Sequence, residues 1–216
     1  DVLGSRGLGD VYKRQDYQLV KGSLDTEVSD IVYDSRKVCP GSMFVCIVGA
    51  VADGHRFISD AVAKGAGVLV VEREVEVEAD VTVICVKSSR KAMSYLSAAF
   101  FDYPARKMVT VGITGTKGKT TTSHMIRTVL EKAGKKCGVI GTNGAFIGDE
   151  KIETQNTTPE SYELHRLFHH MVEKGCEYMV MEVSSQGLKL DRTAGIEFDY
   201  GVFENITPDH IGPTEH

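Results

Sequence analysis

The stretch VGITGTKGKTTTSHMI, Val111–Ile126, restricts the fold more than any other part of this chain. An apolar run enters a turn containing Gly115 and Gly118. Lys119 and three threonines follow, and a helical spacing of Met125, Ile126, Val129, Leu130 and Ala133 takes over. Glycine adopts backbone angles barred to other residues, so such a turn can point its amides, and those of the following helix N-terminus, at one anion. Lys119 is placed to reach the β- and γ-phosphates of a nucleotide, and the Thr120 hydroxyl to ligate Mg²⁺. The pattern is GxxGxxGKTT read from Gly112. Ile113 stands where the strict phosphate-loop pattern has its first glycine. The plainer alternative, an ordinary strand-to-helix turn with exposed lysines, leaves the coincidence of glycines, Lys and Thr unexplained.

Around this turn the chain alternates strand-like and helix-like runs. KCGVIGT, YMVMEVS and FDYGVFENIT read as strands, ESYELHRLFHHMVEKG as a helix, and GAFIGDEKIETQNTTP as a hairpin and loop. Alternation of this kind implies a mostly parallel sheet with helices on its faces, and ligands bind beyond the carboxyl ends of such strands. Upstream, EVSDIVYDSR and SMFVCIVG read as strands flanking the turn VCPGS. DGHRFISDAVAKGA follows as a helix, then VLVVE and VTVICV as short strands. The expected organisation is α/β in two domains: a small N-terminal α/β unit over 16–87, a connector helix over 88–106 stopped by Pro104, and a phosphate-loop central domain over 107–216. Residues 1–15, DVLGSRGLGDVYKRQ, fit neither pattern and read as a leader outside the fold. The abrupt end at NITPDHIGPTEH reads as truncation within the central domain.

Composition narrows the partners. A net charge of −5 gives no electrostatic case for nucleic acid or a membrane surface. No apolar run approaches the ~20 residues that span a bilayer. The five cysteines, Cys39, Cys46, Cys85, Cys137 and Cys176, form no CxxC pair and read as buried reduced thiols of a cytoplasmic protein.

Two further strand ends carry chemistry. Glu182 closes a strand in MEVSSQGL, where a carboxylate beside a phosphate loop can hold Mg²⁺. Taken alone it would read as a helix-capping acid. His210 and Asn205 lie in NITPDH, placed for a metal or phosphate and for the nucleotide. His165, His169 and His170 share one helix. Without a third ligand they read as a solvated face rather than a metal site.

With these residues in hand, the chain from Asp16 onward resembles the Mur ligases, and among them the members that add the third residue of the cell-wall peptide. The likeness rests on YDSRKVCPGSMFVCIVGAVADGHRFISDAVAKGAGVLVVE, GITGTKGKTTT, NTTPES, EVSSQGL with its following Arg, and NITPDH. The resemblance implies an ATP- and Mg²⁺-dependent amide ligase working through an acyl phosphate, as a monomer. Its small-molecule substrates would be a UDP-N-acetylmuramoyl-dipeptide and an amino acid. It implies ATP contacts at Gly115, Thr116, Lys117, Gly118, Lys119, Thr120, Thr121 and Asn205, and catalytic roles for Lys119, Glu182 and His210. Metal contacts fall to Thr120, Glu182 and His210. Tyr33, Ser35, Ala50, Val51 and Ala52 fall where the family holds the uridine end of its substrate. Asn156, Thr157, Thr158, Ser184 and Arg192 fall where it holds the muramoyl peptide.

Three positions depart from the family pattern. Lys117 stands where Asn is common, Gln186 replaces a frequent His, and Leu190 occupies a usually polar substrate contact. The resemblance further implies that a modified lysine and the C-terminal domain selecting the amino acid lie beyond His216, so the chain alone is expected not to complete the ligation. A folylpolyglutamate synthetase-like ligase, a phosphate-loop kinase and a non-catalytic nucleotide-binding module are the alternative readings. The DSR and DGH motifs speak against the first, and Glu182 with His210 against the last.

Overall fold

A computed structural model describes residues 16–49 and 52–208. The expected leader, 1–15, and the expected site residues Ala50, Val51 and His210 lie outside the described residues. The chain divides into two compact units between Asp102 and Tyr103. Both of these non-glycine residues have positive φ, 59° and 50°, and Pro104 follows, so the α-helical path ends here for steric reasons. The expected connector is thereby split. Its helix belongs to the first unit, and the short 3-10 turn Pro104–Lys107 begins the second.

The first unit is a five-stranded sheet of β1 (Tyr17–Lys21), β2 (Ile31–Val32), β3 (Met43–Val45), β4 (Val68–Val71) and β5 (Thr82–Val86), in the order β1-β5-β4-β3-β2. Only the β1–β5 pair is antiparallel. β4 reads VLVV and is buried at every residue, as a strand covered on both faces must be. β2 and β3 are shorter than the apolar runs EVSDIVYDSR and SMFVCIVG suggest, because Asp34 stops the first by capping a 3-10 turn, Ser35–Lys37. Gly54–Phe57 forms a second such turn, running into α1 (Ile58–Ala63), and α2 spans Ser89–Phe100. The Ser88 side chain accepts from Lys91 N and caps α2. Ser89 N and Oγ donate to Glu72 Oε1 at 2.7 Å, which ties the helix to the end of β4.

The second unit is a six-stranded sheet: β6 (Val109–Thr114), β7 (Cys137–Gly141), β8 (Gly144–Ile147), β9 (Glu150–Ile152), β10 (Tyr178–Glu182) and β11 (Tyr200–Phe203), ordered β11-β6-β10-β7-β8-β9. β11, β6, β10 and β7 run parallel, and β8 and β9 add an antiparallel hairpin. Helix α3 covers Lys119–Lys132, α4 Ser161–Glu173 and α5 Ser185–Lys189. Side chains alternate across the pleat. Met179 and Met181 join a core with Leu164, Phe168 and Met171 of α4. Val180 joins the opposite core with Ile113, Val139 and, from α3, Ile126 and Leu130.

The expected solvated histidine face on α4 is wrong at one of its three residues. His165 is fully buried, edge-on to Phe168 at 5.6 Å, with neither ring nitrogen hydrogen-bonded, and burial pushes its pKa down to about 3. It sits beside Leu164 in the apolar stripe, where the helical period turns it inward. His170 lies 3.1 Å from Glu150 and His169 lies 3.6 Å from Glu173, both partly exposed. Cys46, Cys137 and Cys176 are buried, but Cys39 is exposed. Burial raises the Cys46 and Cys137 thiols to about 12. Among the described residues no helix is long and apolar enough to cross a membrane.

Candidate active site

Four loops gather at the carboxyl end of the second sheet, because β11, β6, β10 and β7 are adjacent and parallel. The glycine turn leaves β6. Gly115 has φ 146°, and Gly118, the residue before α3, has φ 94°. A Cβ at Gly115 would lie 3.0 Å from Glu204 Cβ, and one at Gly118 would collide with the Glu204 carboxylate. Gly115 is thus favoured by angle and by close backbone, and Gly118 by its angle. The segment after β11 is laced to the turn. Thr116 N donates to Asn205 O at 3.1 Å, and Lys117 N to Asn205 Oδ1 at 3.0 Å. Asn205 Nδ2 returns a bond to Lys117 O at 3.0 Å, and Thr207 N donates to Thr116 Oγ1 at 3.0 Å. Asn205 therefore shapes the turn as well as adjoining it. Lys119 folds over the same turn, donating to Gly115 O at 2.6 Å. Thr121 is exposed one residue beyond Thr120 in the first turn of α3.

Glu182, the last residue of β10, is 2% exposed. Its carboxylate accepts from Thr120 Oγ1 at 2.9 Å, from Thr142 N at 3.0 Å and from Thr142 Oγ1 at 3.2 Å. Gly141 leaves room for that carboxylate, since a Cβ there would collide with it. Thr120 and Glu182, named separately from sequence as metal contacts, are thus hydrogen-bonded to each other.

The NTTP loop packs beside them. Thr157 Oγ1 lies 3.0 Å from Thr142 Oγ1. Asn156 is exposed, whereas Thr158 is fully buried. The Thr158 hydroxyl donates to Glu182 O at 3.0 Å and accepts from Ser184 N at 2.9 Å. Ser184 Oγ accepts from Gly187 N and caps α5. Arg192 is 7% exposed. It gives Nη1 to Thr158 O at 2.9 Å, and Nε and Nη2 to Glu160 Oε1 at 3.0 and 2.7 Å. Thr158 and Arg192, expected at the substrate, are here bonded within the protein, and Arg192 acts first on the loop's shape.

In the first unit, Tyr33 and Ser35 follow β2 and Ala52 lies in the loop after β3, at the carboxyl ends of neighbouring parallel strands. Ser35 is buried, its carbonyl accepting from Lys64 Nζ at 2.9 Å, while Ala52 is exposed and its carbonyl accepts from Gly49 N. The DGH motif turns inward. His55 Nε2 accepts from Glu72 N at 3.0 Å, so Nδ1 carries the proton and donates to Asp53 Oδ1 at 2.6 Å. Arg73 at 2.6 Å, with the His55 amide and ring, holds the Asp53 carboxyl well below the usual carboxylate range.

The sequence profile described as Mur ligase family, catalytic domain, matches residues 27–101, and that of the Mur ligase middle domain matches 113–216. The chain belongs to the Mur ligase family. A UDP-N-acetylmuramoyl-L-alanyl-D-glutamate--2,6-diaminopimelate ligase of Clostridium perfringens is 48% identical over 94% of this chain and 42% of its own length. The chain thus spans well under half of that relative. A solved structure of a ligase of the same name has a TM-score of 0.79 at 22% identity, covering 98% of this chain and 42% of that one, which establishes the shared fold. A MurF ligase from Thermotoga maritima, solved in complex with ADP, is 25% identical with a TM-score of 0.54, over 82% of this chain and 37% of its own. Within this Mur ligase frame, Thr142 and Glu160 hold the candidate site's loops and were missed by sequence reasoning, which carried His55 only as part of the DGH motif. Thr142 had a signal, since it directly follows a buried strand of the parallel set.

Proposed function

We propose that this chain carries the nucleotide and acceptor sites of an ATP-dependent amide ligase that extends UDP-N-acetylmuramoyl-L-alanyl-D-glutamate by its third amino acid. The diaminopimelate named in the Clostridium perfringens relative is the proposed amine. The observation that carries this reading is the hydrogen-bonded pair Thr120–Glu182 between the glycine turn and the NTTP loop.

The proposed chemistry begins with the acceptor carboxylate attacking the γ-phosphorus of ATP. The bond to the bridging oxygen breaks, ADP leaves, and an acyl phosphate forms. The amine nitrogen then attacks the acyl carbon, phosphate leaves with the C–O electron pair, and the amine sheds a proton to give the amide. The residues fit a bound nucleotide. Two glycines keep side chains off the turn, α3 presents its N-terminus, and Lys119 supplies a positive charge that offsets repulsion as the phosphoryl group moves. Among the described residues no three His, Cys, Asp or Glu side chains gather as a metal site. Mg²⁺ binds through one or two carboxylates plus substrate phosphates, and Glu182 and Thr120 would stand beside it here. Mg²⁺ would supply charge neutralisation on the phosphates. His210 is proposed as a further contact.

Asn156, Thr157 and Ser184 would face the acceptor, with Thr158 and Arg192 holding their loop. The first unit would take the uridine diphosphate end near Tyr33, Ser35 and Ala50–Ala52. Replacing Lys119 by Ala removes a charge-assisted phosphate contact worth about 1.5–3 kcal/mol. Calorimetric titration with Mg·ATP should show affinity falling roughly 10- to 150-fold. Equal affinities for wild type and Lys119→Ala would remove the basis of this reading.

A further inference from the structure

Thr142 is drawn in by neither the motifs nor the family resemblance, yet it touches both halves of the candidate site. Its amide and hydroxyl each donate to Glu182, at 3.0 and 3.2 Å, and its hydroxyl lies 3.0 Å from that of Thr157. Thr120 reaches the same Glu182 oxygen, Oε2, from the glycine turn at 2.9 Å. A continuous line therefore runs from the nucleotide turn to the acceptor loop: Thr120, Glu182, Thr142, Thr157.

The donors in this line have a fixed direction. A carboxylate oxygen only accepts, so the single Thr142 proton goes to Glu182. The Thr157 proton must then go to Thr142, which leaves Thr157 presenting only lone pairs outward. Because Oε2 takes both hydroxyls, any group that competes for it at the Thr120 end changes how strongly it holds the Thr142 proton, and so how Thr157 is held. The backbone bond from Thr142 N to Oε1 keeps Glu182 in place throughout.

We infer that Thr142 is a positioning residue whose hydroxyl couples nucleotide binding at the glycine turn to acceptor binding at the NTTP loop. This rests on the functional reading above, because it needs both ligands to bind at these loops. Coupling of this kind is reciprocal, so it can be read from either ligand. The Thr142–Thr157 contact is solvent-exposed, so the coupling should be severalfold rather than hundredfold.

The test is calorimetric titration of this chain with Mg²⁺ and a non-hydrolysable ATP analogue, with and without saturating UDP-N-acetylmuramoyl-L-alanyl-D-glutamate. Wild type should bind the nucleotide about fivefold more tightly when the acceptor is present. Thr142→Val, which keeps the amide and the shape but loses the hydroxyl, should bind each ligand alone within about twofold of wild type. Its coupling should fall below about twofold, and Thr142→Ser should restore it. Thr142→Ala serves as the second hydroxyl-free variant. Undiminished coupling in Thr142→Val, or no rescue by Ser, overturns the inference. So does failure of both hydroxyl-free variants to fold, which would make the hydroxyl a folding determinant. Wild type binding both ligands without coupling defeats the relay alone. Wild type binding neither defeats the functional reading with it.

Discussion

His55, whose ring meets the end of β4 in the first unit, and Glu182, which closes β10 in the second, are both buried polar side chains, and they are satisfied in different ways. Both ring nitrogens of His55 are engaged, one by a backbone amide and one by Asp53, which is itself held by Arg73. Nothing in that set needs to move. Glu182 is held by one backbone amide and two hydroxyls, and the hydroxyls come from the first turn of α3, after β6, and from the loop after β7. Hydroxyl protons rotate at little cost, so these partners can be re-aimed at a ligand without moving the backbone. A closed polar set fixes shape, whereas a set ending in rotatable donors from separate loops can exchange partners.

The largest effect expected from this contrast is on stability. His55→Ala leaves the partly buried Glu72 amide without its acceptor and removes a packed ring, a loss of about 2–4 kcal/mol. Urea unfolding should show the midpoint falling while Mg·ATP affinity stays within twofold. A large loss of nucleotide affinity in that variant would break the division of roles between the two units.

His165 sharpens the comparison from the other side, since it is as buried as His55 but has no hydrogen-bond partner. Its folded-state pKa lies near 3, against about 6.5 for an ordinary imidazole. The unfolded chain therefore takes up a proton below about 6.5 that the folded chain refuses. Stability from this residue is fully present above that pH. It is lost on acidification at up to about 1.4 kcal/mol per pH unit, until the folded-state value is reached. His165→Leu should flatten the fall between pH 6.5 and 4.5, read by urea unfolding at fixed ionic strength. An unchanged slope would mean that His165 is not held neutral.

Glu182→Gln comes next in size. An amide of the same shape can still accept from Thr142 N and donate to the two hydroxyls, so the melting temperature should shift by no more than a few degrees. The lost charge should weaken Mg·ATP binding by at least about tenfold, roughly 1.4 kcal/mol. Unchanged affinity with a much lower melting temperature would place Glu182 in the same structural class as His55.

These outcomes bear on what was legible in the sequence. The glycine turn was readable because its geometry needs residues that only glycine can supply, at fixed offsets from a strand and a helix. The parallel sheet was readable from VLVV and YMVMEVS, whose burial on two faces leaves continuous apolar runs. The roles of single polar residues were harder. Arg192 and Thr158 resemble substrate contacts in a motif, but which way such side chains turn is settled by Glu160 and Ser184, whose proximity is tertiary. His165 was misread because three histidines in one helix suggest a polar face. The spacing of Leu164, Phe168 and Met171 already placed one of them in the apolar stripe. The antiparallel edge strand β1 was missed because YQLVK is mostly exposed and carries almost no periodic signal.

The smallest effect is expected at Asp34, in the YDSR motif. Its carboxylate takes Nη2 of Arg36 at 2.7 Å and Nε at 2.9 Å, and it accepts from Arg36 N at 3.0 Å, capping the 3-10 turn. The Arg36 side chain beside it, with the Arg36 amide, holds its pKa down at about 2. Stability from this pair is therefore present above the ordinary carboxylate value of about 4 and is lost as pH falls toward 2. The Arg36 side chain is 86% exposed, however, and that of Asp34 26%. Water screens such a pair, and ordering two side chains offsets much of the attraction, so measured values for pairs of this kind are about 0.2–1 kcal/mol. Asp34→Asn keeps an oxygen for the Arg36 amide but loses the charge and the acceptor that takes Arg36 Nη2. Urea unfolding at pH 7 should change by less than about 0.5 kcal/mol, and acid should no longer separate the variant from wild type near pH 3. A loss above about 1 kcal/mol at pH 7 would put Asp34 with His55, as part of the closed polar framework that holds the first unit's loops. The short ion pair would then be a structural anchor in spite of its exposure.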